Sequence, residues 1–284
     1  MLVEKVRLPV VRWNLTANAR LYQQADALVV SIPKSGRTWL RVFLYAYFCR
    51  LDDRPFTMRS DALTTGTPRV EFTHDVWLNM TARKIKHWLL GRSVIPPSVR
   101  RSKPIILMAR DPRDLIVSYF FQLTTRRHGY RRLTLTKLVR HPKFGIRTVV
   151  DVMNQWMGEW ADRRDFRFLR YEDLKKDPER HFRGVLSFLG FAEVVESALR
   201  HALDFSSFEN MKAMEATGGF KSRKLTPADG SDPESYKVRK GKVGGYINYL
   251  APEDIAYVNR ALAELDPRYG YTVRGQEEPD RSGA

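Results

Sequence analysis

Apolar residues along this chain fall into short runs separated by polar turns, and into longer stretches that repeat with a helical period. Residues 27–32 (ALVVSI) form a β-rich run that stops at Pro33, the pattern of a strand buried on both faces. After a polar turn, Leu40, Phe43, Leu44, Tyr47 and Phe48 recur at i, i+3, i+4, i+7 and i+8. That spacing predicts a helix beginning near Thr38, with Cys49 near its far end. Residues 70–73 and, more clearly, 105–109 (IILMA) read as further strands. Asp111 then caps a helix with Pro112 in its first turn, and Leu115, Ile116, Tyr119, Phe120 and Leu123 form its apolar stripe. Residues 166–170 (FRFLR) read as a fourth strand, and Asp177-Pro178 opens a helix that closes at Gly190. Trp156 and Trp160, one turn apart, read as core. Strands alternating with helices predict an α/β fold: a single domain with a mostly parallel central sheet flanked by helices.

Two segments depart from this beat. Residues 126–143 are heavily basic with little helical period, and residues 216–250 are rich in Gly, Ser, Lys and Arg, with Pro227 and Pro233. A loop as long as the second is expected to be a lid or binding loop. The 284 residues suffice for one core, about 25–270, leaving 276–284 as a frayed tail. A composition of 43% hydrophobic and 29% charged residues excludes a disordered chain. No apolar run approaches the roughly 18–20 residues of a membrane span. Residues 1–14 alternate charged and apolar positions, so they lack the continuous apolar stretch of a secretory signal. Cys49 is the single cysteine, which excludes an internal disulfide framework and a cysteine-rich zinc site. A cytoplasmic protein is expected. Charge is the unusual property: 49 Lys and Arg against 32 Asp and Glu give +17. Such an excess attracts nucleic acid, an anionic membrane surface, or a phosphorylated or sulfated small molecule.

Parallel α/β sheets bind ligands outside the carboxyl ends of their strands. The residues just past each predicted strand are Lys34 with Ser35 and Gly36, His74 with Asp75, Arg110 with Asp111, and Tyr171 with Glu172 and Asp173. An ammonium, an imidazole, a guanidinium and a phenol on one rim predict an anion site with acid–base rather than metal chemistry. The first turn, residues 31–39 (SIPKSGRTW), aims backbone N–H groups and a positive helix end at a phosphate. It is not G-x-x-x-x-G-K-[ST], since the lysine precedes the glycine, which disfavours an ordinary P-loop kinase or ATPase.

These residues carry a resemblance. Residues 33–39 (PKSGRTW) are similar to the PKSGTTW loop of sulfotransferases that use 3′-phosphoadenosine 5′-phosphosulfate (PAPS), in a bacterial-like variant of the cytosolic type. Arg110-Asp111-Pro112-Arg113-Asp114 through Ser118 and Tyr119 resembles that family's 3′-phosphate motif, and residues 171–174 (YEDL) its Y-E-D-[LM] stretch. Ser206-Ser207-Phe208 followed by Met211 resembles its adenine-side T-S-F-x-x-M. Arg239-Lys240-Gly241 followed by Gly244 resembles its late R-K-G-x-x-G lid. The five matches run in family order. Three departures stand out: Arg37 where many members have threonine, Gly245-Tyr246 in place of Asp-Trp after the lid, and Phe72 where a lysine often precedes the catalytic histidine. The family's dimerisation stretch is not recognisable at residues 247–253, so no oligomeric state is expected from it.

The resemblance implies a donor site for PAPS, with no metal. Ser35, Gly36, Arg37 and Thr38 hold the 5′-phosphosulfate, and Lys34 neutralises charge on the leaving phosphate. Arg110, Ser118 and Arg239 grip the 3′-phosphate, Lys240 and Gly241 belong to the lid, Trp39 and Phe208 sandwich adenine, and Ser206 and Tyr171 lie close to it. The catalytic set is Lys34, His74 and Ser118, with His74 the general base. The acceptor is a small molecule, lipid or carbohydrate bearing a hydroxyl or amine; peripheral contact with an anionic surface is compatible with the charge. Two other classes remain beside this one. A non-specific nucleic-acid binder fits the charge but lacks zinc-finger spacing, an RNP-like motif or a basic heptad helix, and no specific nucleic acid is expected. A nucleotide kinase of related architecture lacks the Walker lysine.

Overall fold

The computed structural model describes residues 17–59, 66–80, 94–126, 130–220, 225–227, 229–232 and 235–272. Residues 1–14, His87, His128 and the tail 276–284 lie outside them. Four runs of β-forming residues make one sheet in the order β2-β1-β3-β4: β1 (Ala27–Val30), β2 (Val70–Thr73), β3 (Ile105–Ala109) and β4 (Phe166–Arg170). β1 is parallel to both of its neighbours, with Val29 opposite Phe72 on one side and Ile106 on the other. All four β1 residues are buried. A central parallel strand is covered on both faces, which is why it reads as a continuous apolar run without alternation.

The chain divides into two compact units. The first comprises residues up to Met108 with Asp162–Leu169 and Asp173–Ser206, and the second Ala109–Ala161, Arg170–Glu172 and the residues from Ser207 on. In the first unit the helix Arg37–Leu51 is buried well beyond its predicted stripe: Val42, Tyr45, Ala46 and Cys49 are buried as well. The helix Glu196–Phe205 packs along it, the Val195 N–H donates to the Tyr47 hydroxyl at 3.1 Å, and the Phe43 and Phe182 rings stack at 3.7 Å. Covered from several sides, this helix has no solvated face to shape its pattern. Asp177 caps the helix Pro178–Phe188 by accepting from the Arg180 N–H, and Gly190 follows at φ 94, as the sequence predicts.

In the second unit the helix Pro112–Arg126 packs with Ile146–Trp160 and Pro252–Leu262. Trp156 and Trp160 are both buried, with their rings stacked at 6.4 Å. The basic stretch 126–143 is not wholly irregular, because it contains a one-turn helix, Leu135–Val139. Thr134 caps that turn by accepting from the Lys137 N–H, and Leu138 and Val139 are buried. Asp254 then accepts from Thr136 Oγ1 at 2.6 Å and pairs with Arg140. Two buried side chains and a cap are too short a signal for a periodicity argument. Across residues 216–250 the helix Phe208–Thr217 is closed by Gly218 at φ 71, and the 3-10 turn Gly245–Asn248 follows among the described residues.

Candidate functional site

In the first unit the turn after β1 is held in a costly backbone shape. Lys34 lies at φ 78 and Gly36 at φ 93, both left-handed, and Lys34 pays steric strain that glycine does not. The turn delivers Arg37, Thr38 and Trp39 to the first turn of a helix that has no side-chain cap on its N–H groups. Ser35 is buried and its Oγ has no hydrogen-bond partner. A buried hydroxyl left unpaired beside uncapped helix N–H groups is a donor set awaiting an anion. Trp39 packs edge-on against Phe182 at 5.5 Å. The Arg37 guanidinium has Arg41 and the Tyr22 phenol as its electrostatic neighbours.

His74 follows β2 and turns its ring back toward β1, with Nδ1 2.6 Å from the Ser31 carbonyl oxygen. A carbonyl only accepts, so Nδ1 carries a proton, and in the neutral ring the lone pair falls on Nε2. Asp75, its neighbour in sequence, has partners of its own. At φ 42 and fully buried, its carboxylate accepts from the Ile95 N–H at 2.8 Å and pairs with Arg100. The ring is set by backbone, and the acid is spent on tying residues 95 and 100 to the end of β2.

The second unit gathers residues from four separate stretches. The Arg110 guanidinium lies over the Tyr171 ring at 4.6 Å and donates to the Lys242 carbonyl at 2.9 Å. Its Nε is shut off from solvent without a partner. Gly241, at φ 59, passes so close to Phe208 that a Cβ there would lie 3.0 Å from two ring carbons and 3.7 Å from the Tyr171 hydroxyl. A side chain there would be strained by the backbone conformation and would press on the Phe208 ring. Arg239 stacks on Phe121 at 4.4 Å and donates to the Tyr249 hydroxyl at 3.0 Å, while Lys240 also bonds that hydroxyl. Phe121 sits one turn from the buried Ser118 on the helix Pro112–Arg126, so Arg239 reaches the helix face that presents this serine. Burial pushes the Tyr171 phenol pKa up, with Arg110 opposing.

Three acids hold this arrangement. Asp114 accepts from the Gly244 and Tyr246 N–H groups at 2.7 and 2.9 Å. Burial raises its pKa and Arg110, 3.7 Å away, counters that. Arg113 lies over the Tyr246 ring at 4.9 Å, so the Gly245-Tyr246 departure is anchored by other means. Glu215, almost fully buried, accepts from the Lys237 and Val238 N–H groups at 2.7 and 2.9 Å. Glu172 accepts from the Asp111 N–H and the Tyr271 hydroxyl, fastening the end of β4 to the end of β3. Sequence reasoning missed Asp114 and Glu215 as anchors. Their partners are backbone N–H groups 22 to 132 positions away, a relation no local pattern reveals.

Ser206 belongs to the first unit, where it ends the helix Glu196–Phe205 with its Oγ 3.4 Å from the Leu203 carbonyl; Ser207 caps the next helix. Cys49 is buried, as expected of an inert core thiol, and burial pushes its pKa up. Among the described residues no helix is long and apolar enough to cross a membrane.

Residues 24–267 match the family described as Sulfotransferase domain. Cytosolic sulfotransferase 17 of Arabidopsis thaliana is 26% identical over 84% of this chain and 73% of its own length. Flavonol 4′-sulfotransferase of Flaveria chlorifolia is 25% identical over 89% of this chain and 85% of its own length. Among solved structures, mouse sulfotransferase SULT7A1 complexed with PAP superposes with a TM-score of 0.59 at 17% identity, covering 92% of this chain and 90% of that one. Retinol dehydratase in a complex with retinol and PAP gives the same TM-score and identity, covering 92% and 86%. With the family matched over most of its length and the same α/β fold, this chain belongs to the sulfotransferase family.

Proposed function

We propose that this sulfotransferase moves a sulfuryl group from PAPS to a hydroxyl of a small-molecule acceptor. The support is the convergence of Arg110, Tyr171, Phe208 and Gly241, four stretches far apart in sequence, around a buried guanidinium Nε without a partner. A nucleotide ring face and a phosphate suit that set. The donor supplies the sulfuryl group, and the chain binds, neutralises and moves a proton. Ser35 Oγ and the uncapped N–H groups from Gly36 to Thr38 would hold the 5′ end, with Lys34 supplying positive charge there. Arg110, Ser118 and Arg239 would hold the 3′-phosphate, and Phe208 and Tyr171 would offer ring faces to adenine. His74 Nε2 takes the proton of the attacking hydroxyl, its tautomer set by the Ser31 carbonyl. Residues 216–250 serve as the lid. Relatives named for flavonols support a small hydroxylated acceptor, and relatives named cytosolic support a cytoplasmic setting.

A melting-temperature comparison tests the donor. 3′-Phosphoadenosine 5′-phosphate (PAP) is expected to raise the melting temperature by mass action, and adenosine 5′-phosphate much less, because it leaves Arg110, Ser118 and Arg239 unpaired. Equal shifts from the two nucleotides would remove the 3′-phosphate assignment.

A further inference from the structure

Asp114, Ser118 and Phe121 recur at i, i+4 and i+7 on the helix Pro112–Arg126, and so share one of its faces. Two of the three hold the segment 239–249 to that face. Asp114 accepts from the Gly244 and Tyr246 N–H groups, where the turn Gly245–Asn248 begins. The turn ends at Tyr249, whose N–H donates to the Tyr246 carbonyl at 3.0 Å. Tyr249 is thereby brought back to the same helix, with its ring edge-on to Phe121 at 5.3 Å.

These two rings enclose Arg239. Its guanidinium lies over Phe121 at 4.4 Å and over Tyr249 at 5.3 Å, and its Nη1 donates to the Tyr249 hydroxyl at 3.0 Å. Lys240 donates to the same hydroxyl and lies over the same ring at 5.1 Å. A phenol oxygen has lone pairs for both donors, and a phenylalanine in its place has none. An arginine side chain has many rotamers, and a ligand that must order them binds less tightly. Two ring faces and a hydroxyl remove much of that freedom beforehand.

We propose that Tyr249 and Phe121 are positioning residues. They hold the Arg239 guanidinium against the helix face that presents Ser118 before a nucleotide arrives, and so set the preference for a nucleotide bearing a 3′-phosphate. This rests on the assignment of Arg239 and Ser118 to the 3′-phosphate. A guanidinium meets a phosphate through two parallel bonds only when its fork is correctly turned, and a long loop by itself fixes no such orientation. The clamp refers Arg239 to a helix instead.

The test measures PAP and adenosine 5′-phosphate binding by calorimetry for the unmodified enzyme and for Tyr249→Phe, Arg239→Met and the double variant. Tyr249→Phe keeps the ring and removes only the hydroxyl. It is expected to weaken PAP binding about 10-fold, the lower end for a hydrogen bond to a charged group, and to leave adenosine 5′-phosphate binding unchanged. Equal weakening of both nucleotides is what a purely structural tyrosine gives, and it overturns the proposal, as does PAP binding as tight as in the unmodified enzyme. In the Arg239→Met background Tyr249→Phe is expected to bring no further loss, since the two residues act as one unit; additive losses overturn the proposal. Phe121→Leu is expected to lose the same preference and Phe121→Tyr to keep it, and this pair carries the test if Tyr249→Phe does not melt cooperatively. Failure of the donor reading shows separately: the unmodified enzyme then binds the two nucleotides equally, and the proposal falls with it.

Discussion

At the scale of single residues, His74 and Asp75 show how neighbours in sequence take unrelated tasks. His74 donates its Nδ1–H to the Ser31 carbonyl, and in the proposed mechanism its Nε2 is the base, whereas Asp75 is buried against Arg100 and the Ile95 N–H. His74→Ala is therefore expected to cut turnover by about 100-fold or more, while the PAP-induced melting shift persists. A folded His74→Ala enzyme with near-normal turnover would place the base elsewhere. Asp75→Ala is expected to act on stability, since it strands a buried guanidinium: about 3–5 kcal/mol is lost when one partner of such a pair is removed. Urea denaturation reads that loss, and a variant as stable as the parent would show that Arg100 finds another partner.

At the scale of elements, the segment proposed as a lid is held at two places by buried acids. Glu215 fixes residues 237–238 and Asp114 fixes residues 244–246, so that Arg239, Lys240 and Gly241 lie between two anchors. Backbone N–H groups on a carboxylate form charge-assisted bonds, stronger than neutral ones. Glu215→Ala is expected to abolish hydrogen-exchange protection at Lys237 and Val238 and to weaken PAP binding about 10-fold, the equivalent of roughly 1.4 kcal/mol. The exchange of the β1 amides should stay as in the parent, because the sheet does not depend on this acid. Protection unchanged at 237–238 would remove Glu215 from the role of anchor. Part of this element was legible in the sequence: the R-K-G-x-x-G stretch stood out there, and Gly241 occupies a left-handed position against an aromatic ring. The anchors were not legible, because a carboxylate that bonds backbone N–H groups imposes no residue type on its partners.

At the scale of the whole molecule, the net charge of +17 remains the property that a nucleic-acid binder would also show. Charge alone gives a sequence-independent affinity that falls with salt as counterions are released. Duplex DNA is therefore expected to bind this protein weakly at about 50 mM salt and to be lost by about 200 mM, as read by fluorescence anisotropy. Tight, sequence-selective binding at the higher salt would count against the enzyme being the polycation's main role.

By itself the sequence determined the four strands, the helices that follow β1 and β3, the helix opened by Asp177-Pro178, and the order of the five family motifs. These are local or evenly spaced signals: an apolar run ended by proline, a 3.6-residue stripe, a glycine whose backbone excludes a side chain. Only the tertiary structure decided where helix Arg37–Leu51 is buried, since a helix covered on several sides has no polar face to read. The same holds for the one-turn helix Leu135–Val139 in the basic stretch, made by a cap and two buried side chains. The hydrogen bond of His74 to the Ser31 carbonyl and the pairing of Asp75 with Arg100 were likewise invisible in the chain. Each depends on which groups meet across 25 to 43 positions, and that is settled by packing alone.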